Sequence, residues 1–161
     1  MDYKIMKKEA FKIIAKEQRF KKVEDIQGRS DIPAFWTECH GDGTVKYLSE
    51  NCKKDGVLGG SVVGMCMEDS TVVKDFPYLI GAEYAGGDVP NGYKVVDVPA
   101  AEWAVFGIDG LSEEKIQQAW HKIFAEFFPS STYKPAGNFD LEVYTTDTYK
   151  GEIWISVEKK G

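Results

Sequence analysis

Apolar and polar positions in the first half of the chain predict a hairpin, two helices and two strands. Residues 3–18 hold short apolar runs rich in Ile and Phe, and the Lys-Lys-Glu at 7–9 marks a turn between two strands. In residues 31–54 apolar side chains recur at spacings of three and four, interrupted by two glycines. This pattern predicts a broken pair of helices. Residues 57–67 and 77–85 then predict two strands.

The second half of the chain repeats this order. Residues 93–108 predict a second hairpin that turns at a proline. Ser112 is a helix cap and Pro129 ends the helix that follows it. That helix carries an apolar stripe formed by Ile116, Ala119, Trp120, Ile123, Phe124 and Phe127. Residues 138–146 and 152–160 predict the last two strands.

The shared order of hairpin, helix, strand and strand indicates an internal duplication. YLIGAE at 78–83 matches IWISVE at 153–158 in the two halves. A repeat of roughly 80 residues is too long for a solenoid. We therefore expect one domain over residues 1–161, with pseudo-repeats at 1–90 and 91–161 that enclose a cleft, where ligand pockets tend to form.

Composition and charge exclude several classes of protein. The 161 residues are 43% hydrophobic and 13% aromatic, enough for a packed core, so disorder is excluded as the main state. The net charge of −6 argues against direct nucleic-acid binding, which needs a basic surface. No apolar run approaches the roughly 20 residues of a membrane span, and the first residues lack a signal-peptide core. We expect a soluble cytoplasmic protein with no membrane contact.

Metal sites and cofactors are not expected. The chain has three cysteines without a CxxC motif and two histidines, which does not match the usual zinc spacings. Walker, Rossmann, GxSxG and HExxH motifs are absent. The sequence therefore predicts neither a metal nor a cofactor.

An acidic residue within an otherwise apolar strand is the strongest candidate for chemistry. In FDLEVY, alternation places Glu142 and Tyr144 on one face and Leu141 on the other. Glu142 is then either a solvated residue of the outer face or a residue that lines the cleft between the modules. In a cleft, desolvation would make the carboxylate suited to cation binding or proton transfer.

Further candidates are a second glutamate and several aromatic residues. Glu83 in LIGAEY alternates with Ala82 and Tyr84, and it is either a surface carboxylate at the strand end or a second cleft residue. Aromatic faces attract cations by ~0.5–2 kcal/mol each, so a cleft lined with rings would suit lipophilic cations. The aromatic candidates for ligand binding are Phe35, Trp36, Tyr84, Trp103, Phe106 and Tyr144.

Taken together, the motifs resemble the GyrI-like effector-binding family. The resemblance rests on IPAFWTE at 32–38, YLIGAEY at 78–84, VPAAEWAVF at 98–106, QAWHKIFAEFFP at 118–129, and FDLEVY followed by EIWISV. These motifs cover nearly the whole chain in the order found in that family. The resemblance implies an α+β fold in which duplicated strand-helix-strand-strand modules form a curved antiparallel sheet with helices on one side and a central ligand cleft.

The resemblance also implies a range of functions. The family includes drug-sensing domains of AraC-type and MerR-type bacterial transcription regulators, separate multidrug-binding proteins, gyrase inhibitors and hydrolases of cyclopropanoid toxins. By position, the family's pocket carboxylate corresponds to Glu142, with Trp36, Tyr84 and Trp103 as aromatic neighbours. No DNA-binding helices precede Tyr3, so we expect any transcriptional role to act through a separate partner.

Two classes of function follow from these residues. The first is a stand-alone domain that binds hydrophobic, often cationic, small molecules, with Glu142 as the countercharge. The second is a hydrolase of cyclopropanoids, in which Glu142 activates water and Tyr84 or Tyr144 protonates the leaving carbon. Gyrase inhibition through a protein contact is a third alternative, in which gyrase is the partner.

Overall fold

Eight strands in one antiparallel sheet form the framework of the molecule. The computed structural model describes residues 2–21, 31–66, 75–110, 112–144 and 151–161. The strands are β1 (Tyr3–Lys8), β2 (Phe11–Lys21), β3 (Val62–Cys66), β4 (Asp75–Glu83), β5 (Lys94–Val98), β6 (Ala101–Ile108), β7 (Tyr133–Tyr144) and β8 (Gly151–Lys159). The helices are α1 (Asp31–Gly41), α2 (Thr44–Asn51) and α3 (Glu113–Lys122), and α3 continues as a π-helical turn (Ile123–Phe127) and a last turn (Phe128–Ser130).

The order of the strands has an internal twofold symmetry. The order is β1-β6-β8-β7-β3-β4-β2-β5, and exchanging each strand with its equivalent in the other half reverses it. The β3–β7 pair lies at the centre, where the two halves meet. The predicted α+β fold of duplicated modules is confirmed.

The two predicted hairpins are wrong. β1 pairs with β6, and β2 pairs with β5, so neither pair of consecutive strands forms a hairpin. Lys8 lies opposite Ala101 and Phe11 opposite Val98, which means that the register continues unchanged across the short break in both strands. Two-residue hairpins favour Gly or Asn in the turn, and neither connection contains one. We call this arrangement of β1–β2 along β5–β6 the bent ribbon.

The sheet has an inner face and an outer face. One apolar cluster, to which all strands except β1 contribute buried side chains, covers the inner face and includes Trp103, Val105 and Leu141. On the outer face two separate clusters form beneath the helices, and Ala104 and Phe106 belong to one of them. The predicted alternation in β6 is therefore confirmed. The helices lie on one side of the sheet, as predicted.

The broken helix pair predicted over 31–54 is confirmed. Gly43 adopts a left-handed backbone (φ 87°) between α1 and α2. At this break Asp42 Oδ1 accepts hydrogen bonds from the Thr44 amide at 2.9 Å and from the Thr44 hydroxyl at 2.6 Å. These bonds lower the pKa of Asp42 to about 2. The pair packs on β2, β3 and β4 through buried residues such as Phe35 and Leu48.

The long helix of the second half begins where predicted and ends at Ser130, one residue beyond the predicted end, but its apolar stripe is displaced. The Ser112 side chain accepts a hydrogen bond from the Lys115 amide at 3.2 Å and caps α3. Ile123 at the start of the π-helical turn and Phe128 at the start of the last turn are buried, five residues apart, whereas Phe124 is 47% exposed. The prediction that Phe124 belongs to the stripe is wrong, because a π turn shifts the buried face away from the 3.6-residue period.

Within the described residues, none of the helices has both the length and the apolar character needed to cross a membrane.

Candidate functional site

On the outer face the central strand pair lies between the two helical layers, and we use the name cleft for this region, where the sequence predicts the ligand site. The cluster under α1 and α2 and the cluster under α3 cover opposite ends of the outer face, with β3 and β7 between them. On this face a row of four residues crosses four strands, namely Ile80, Gly64, Glu142 and Ile153. Glu142 therefore lies on the floor of the cleft, opposite a residue that has no side chain.

A β-bulge in β7 precedes Glu142 and contributes to its placement. The pairing of β7 with β8 shifts between Pro135 and Asp140, and Gly137 has a positive φ of 83° within this stretch. The register that follows the bulge places Glu142 opposite Ile153, a residue of the outer face. Leu141 and Val143 point to the inner core.

Aromatic side chains from both helical layers meet at the Glu142 carboxylate. The Tyr78 hydroxyl donates to Oε1 at 3.3 Å, and the Trp120 indole Nε1 donates to Oε2 at 3.5 Å. The Trp36 indole donates to the Tyr78 hydroxyl at 3.0 Å. A chain of hydrogen bonds thus connects α1 to α3 through the carboxylate.

Tyr144 completes the ring-lined site. Its hydroxyl donates a hydrogen bond to the Glu142 carboxylate, and its ring meets Trp36 edge to face with centroids 5.0 Å apart. Trp120 stacks against Phe124 with centroids 6.1 Å apart and ring planes 14° apart. The half-buried carboxylate is therefore bordered by rings from β4, β7, α1 and α3.

The two tyrosines remain neutral donors over a wide range of pH. Burial raises the pKa of Tyr78 well above its usual value of 10.0, and the negative charge of Glu142 raises it further. Burial also raises the pKa of Tyr144, followed by the charge of Glu142 and the hydrogen bond to it. Hydrogen bonds from neutral donors stabilise a carboxylate without cancelling its charge.

Gly64 makes room for the Tyr78 hydroxyl. Tyr78 lies on β4 and reaches the carboxylate on β7 across β3, passing over Gly64. A Cβ atom at position 64 would overlap that hydroxyl, lie 2.8 Å from Tyr78 Cζ and lie 3.2 Å from Trp36 Cζ2. Glycine is thus the residue that this crossing requires.

The structure brings together three of the residues predicted for ligand binding. Glu142, Tyr144 and Trp36 meet in the cleft. Phe35 lies in the same helical layer as Trp36, but it is buried beneath α1 against Phe20 and Tyr78.

The other predicted aromatic residues lie away from Glu142. Trp103 is fully buried on the inner face beside Trp154, because alternation in β6 turns it away from the helices. Phe106 is fully buried under the π-helical turn. Tyr84 follows the end of β4, four residues beyond the row that contains Glu142, and its hydroxyl donates to the Gly87 carbonyl. The interpretation of Trp103 and Tyr84 as neighbours of Glu142 is wrong.

Glu83 occupies a different environment from Glu142. It pairs with Ile13 on the inner face and is only 4% exposed. Its Oε1 accepts a hydrogen bond from the Leu58 amide at 3.1 Å, and the Gly56 backbone packs against the carboxylate. Both interpretations of Glu83, as a surface carboxylate and as a second cleft residue, are wrong. Its side chain anchors the turns that precede β3.

Two residues of the site were not predicted. Tyr78 alternates with Ile80 and Ala82, which indicates only a buried strand face. Trp120 belongs to the apolar stripe of α3, where the expected position is the core. A polar group on each ring was the available signal, because buried Tyr and Trp usually find a hydrogen-bond partner.

Comparison with known proteins identifies the family. A profile described as Cass2, integron-associated effector binding protein, matches residues 4–157. The chain belongs to this family. Among the residues of this Cass2-family chain that the structure describes, no group of three or more His, Cys, Asp or Glu side chains could hold a metal ion.

Solved structures share the fold of this Cass2-family chain. SAV2435 bound to tetraphenylphosphonium has a TM-score of 0.81 at 18% identity, over 98% of this chain and 94% of that one. The integron cassette protein VCH_CASS2 of Vibrio cholerae has a TM-score of 0.70 at 14% identity, over 97% and 95%. The C-terminal domain of EcmrR has a TM-score of 0.64 at 12% identity, over 99% and 98%. No curated protein matches the chain.

Proposed function

We propose that this effector-binding protein takes hydrophobic cations in the cleft between its two helical layers, with Glu142 as the countercharge. The observation that carries the proposal is the carboxylate on the cleft floor, held by the neutral donors Tyr78, Trp120 and Tyr144. These donors keep the negative charge in place, and the rings around it provide apolar surface. A lipophilic cation matches both properties.

Physical chemistry supports a cationic ligand over an anionic or neutral one. A half-buried carboxylate interacts with a positive charge more strongly than an exposed carboxylate does, because less water screens the pair. The aromatic faces of Trp36 and Tyr144 add cation–π attraction of ~0.5–2 kcal/mol each. An anion would meet the charge of Glu142 at close range without a compensating interaction from these rings.

The relatives agree with this proposal. SAV2435, which has the same fold, was solved with tetraphenylphosphonium, a lipophilic cation. The family description, effector binding, names the same general activity. Identity with SAV2435 is 18%, so the ligand class is carried to this chain as a proposal that rests on its own residues.

The decisive experiment compares two glutamates on neighbouring strands. Glu142→Gln removes the charge in the cleft, whereas Glu152→Gln is a matched control on the inner face. Glu152 pairs with Val143 and accepts an indole hydrogen bond from Trp154 at 3.1 Å. Tetraphenylphosphonium binding is measured by calorimetry and by quenching of tryptophan fluorescence.

We expect Glu142→Gln to weaken binding of tetraphenylphosphonium at least about tenfold, or about 1.4 kcal/mol. The Glu152→Gln variant should bind within about twofold of wild type, and a neutral analogue, triphenylphosphine oxide, should respond weakly to either substitution. Equal cation affinity in wild type and Glu142→Gln would refute the countercharge role. Mass spectrometry of the recovered ligand should find it unchanged, and a water adduct would instead indicate hydrolysis.

A further inference from the structure

The Glu142 carboxylate is surrounded by hydrogen-bond donors that belong to the protein. Tyr78 donates to one oxygen, Trp120 donates to the other, and Tyr144 adds a third hydrogen bond. An ionised carboxylate offers about four lone-pair positions in all. Most of the acceptor capacity of the Glu142 carboxylate is therefore already in use.

Building on the proposed function, we propose that this cleft selects cations without hydrogen-bond donors, such as quaternary ammonium and phosphonium ions, over protonated amines of the same skeleton. The selectivity arises from the donors around Glu142 rather than from the charge alone. A cation without N–H groups leaves all three bonds to the carboxylate intact. It gains the electrostatic attraction and the ring contacts together.

For a protonated amine, the gain from a hydrogen bond to Glu142 is offset by the cost of removing water from its N–H groups and of displacing the protein's own donors. Its N–H groups hold water strongly and need acceptors in the protein to replace it. An amine that donates more than one N–H to Glu142 must displace Tyr78, Tyr144 or Trp120, because these three donors already use most of the acceptor positions. The displaced phenol or indole donor then loses its partner in a half-buried site, which offsets the new bond.

The arrangement of the donors is fixed by packing. The Tyr78 hydroxyl receives the Trp36 indole N–H while it donates to Glu142, so its orientation is set from both sides. The Tyr78 hydroxyl occupies the space that a Cβ atom at Gly64 would fill. Burial keeps both phenols protonated at neutral pH, so they remain donors under assay conditions.

Asp140 is the second acidic residue on this face of β7, opposite Cys66. It is half-buried and lies two residues before Glu142. An amine that used Asp140 as its acceptor would escape the predicted selection. The experiment therefore includes Asp140→Asn, and a loss of amine affinity in that variant that exceeds the loss for the quaternary ion would contradict the proposal.

The test uses three ligands that differ in the number of N–H groups. These are 3,3,3-triphenylpropylamine, its N,N-dimethyl derivative and its N,N,N-trimethylammonium salt, all cationic at pH 7. We expect affinity to rise along this series, with at least about a tenfold difference between the first and the last, equal to about 1.4 kcal/mol. Because added methyl groups also raise affinity by burial, the ratio is compared between protein variants rather than interpreted alone.

Tyr144→Phe removes one donor and frees acceptor capacity on Glu142. We expect it to reduce the ratio of quaternary to primary affinity at least about threefold, and Trp120→Phe serves as a second variant of the same kind. Tyr84→Phe is the matched control, since that hydroxyl bonds to the Gly87 carbonyl away from the cleft, and its ratio should equal that of wild type. An unchanged ratio in both donor variants would overturn the inference while the dependence of tetraphenylphosphonium binding on Glu142 would still support the proposed function.

Discussion

Glu142 and Glu83 are two strand glutamates with limited exposure to solvent, yet their surroundings differ in kind. Glu83 accepts a backbone amide on the inner face and is nearly inaccessible. Glu142 accepts side-chain donors from β4 and from α3 on the outer face and keeps part of its surface in the cleft. The difference teaches that burial of a carboxylate does not identify a ligand site. The type of donor and the side of the sheet distinguish a structural anchor from a binding group.

The largest expected effect is the loss of stability in Glu83→Ala. This substitution leaves the Leu58 amide without its acceptor in a buried position, at a cost of up to about 3 kcal/mol. The free energy of unfolding is measured by urea denaturation, with Glu83→Gln as a control that retains an acceptor oxygen. Tetraphenylphosphonium affinity should stay within about twofold. If affinity falls while stability is unchanged, Glu83 belongs to the ligand site and the contrast with Glu142 fails.

Gly64→Ala is expected to lower both the stability of the protein and the ligand affinity of the Glu142 site. The added methyl group would overlap the Tyr78 hydroxyl and destabilise the protein by about 1–2 kcal/mol, because Tyr78 is buried and must shift to make room. Affinity for tetraphenylphosphonium should fall with it. The double variant Gly64→Ala/Tyr78→Phe lacks that hydroxyl and should recover part of the stability. Strictly additive losses would show that the two residues do not interact as described.

The dependence of stability on pH should reveal the neutral tyrosines of the cleft. Their pKa values are raised in the folded protein, so stability is fully present below the unfolded pKa of about 10 and is lost as pH rises above it. Each tyrosine should account for roughly 1 kcal/mol of loss between pH 9 and 10.5. Over this pH range the free energy of unfolding, measured by thermal or urea denaturation, should fall less in Tyr78→Phe than in wild type. Parallel curves for the two proteins would contradict the burial of that phenol.

The smallest expected effect concerns the wall of the cleft. Phe124 is half exposed and stacks on Trp120, so Phe124→Ala should change the free energy of unfolding by only about 0.5 kcal/mol. We expect tetraphenylphosphonium affinity to fall about twofold, because Trp120 loses a neighbour that helps to orient it. Calorimetry on both proteins measures the change. If Phe124→Ala loses as much tetraphenylphosphonium affinity as Glu142→Gln does, the ring contacts contribute as much to binding as the charge, which would contradict this prediction.

Local pattern was sufficient for most elements of the fold. The alternation in FDLEVY and in β6 assigned faces correctly, and Ser112 and Pro129 located the ends of the long helix to within one residue. The strand partners of the first half were not available from pattern, because Lys-Lys-Glu looks like a turn and only tertiary pairing reveals that β1 belongs beside β6. The π turn after Lys122 was equally hidden, since its sequence fits a regular helix.

The site was predictable only where a residue broke its local pattern. Glu142 is polar within an apolar strand, and that conflict singled it out. Trp103 and Phe106 carried the same aromatic chemistry as Trp36, but their positions depend on which face the sheet turns toward the helices. Tyr78 and Trp120 fitted the core pattern and gave no conflict. Contacts across four strands and two helices bring them to the carboxylate, and such contacts are not encoded in any single segment.

The bent ribbon has a consequence for how the protein can move and be divided. The edge strand β1 of the first half pairs with β6 of the second half, and the edge strand β5 of the second half pairs with β2 of the first. The pseudo-repeats are therefore interlocked rather than placed side by side. Neither half should fold when expressed by itself, whereas two fragments split at the turn that contains Asn91 should assemble when mixed. A hinge motion between the halves would break the pairing of strands in the bent ribbon, so we expect ligand entry to require displacement of the helices rather than of the sheet.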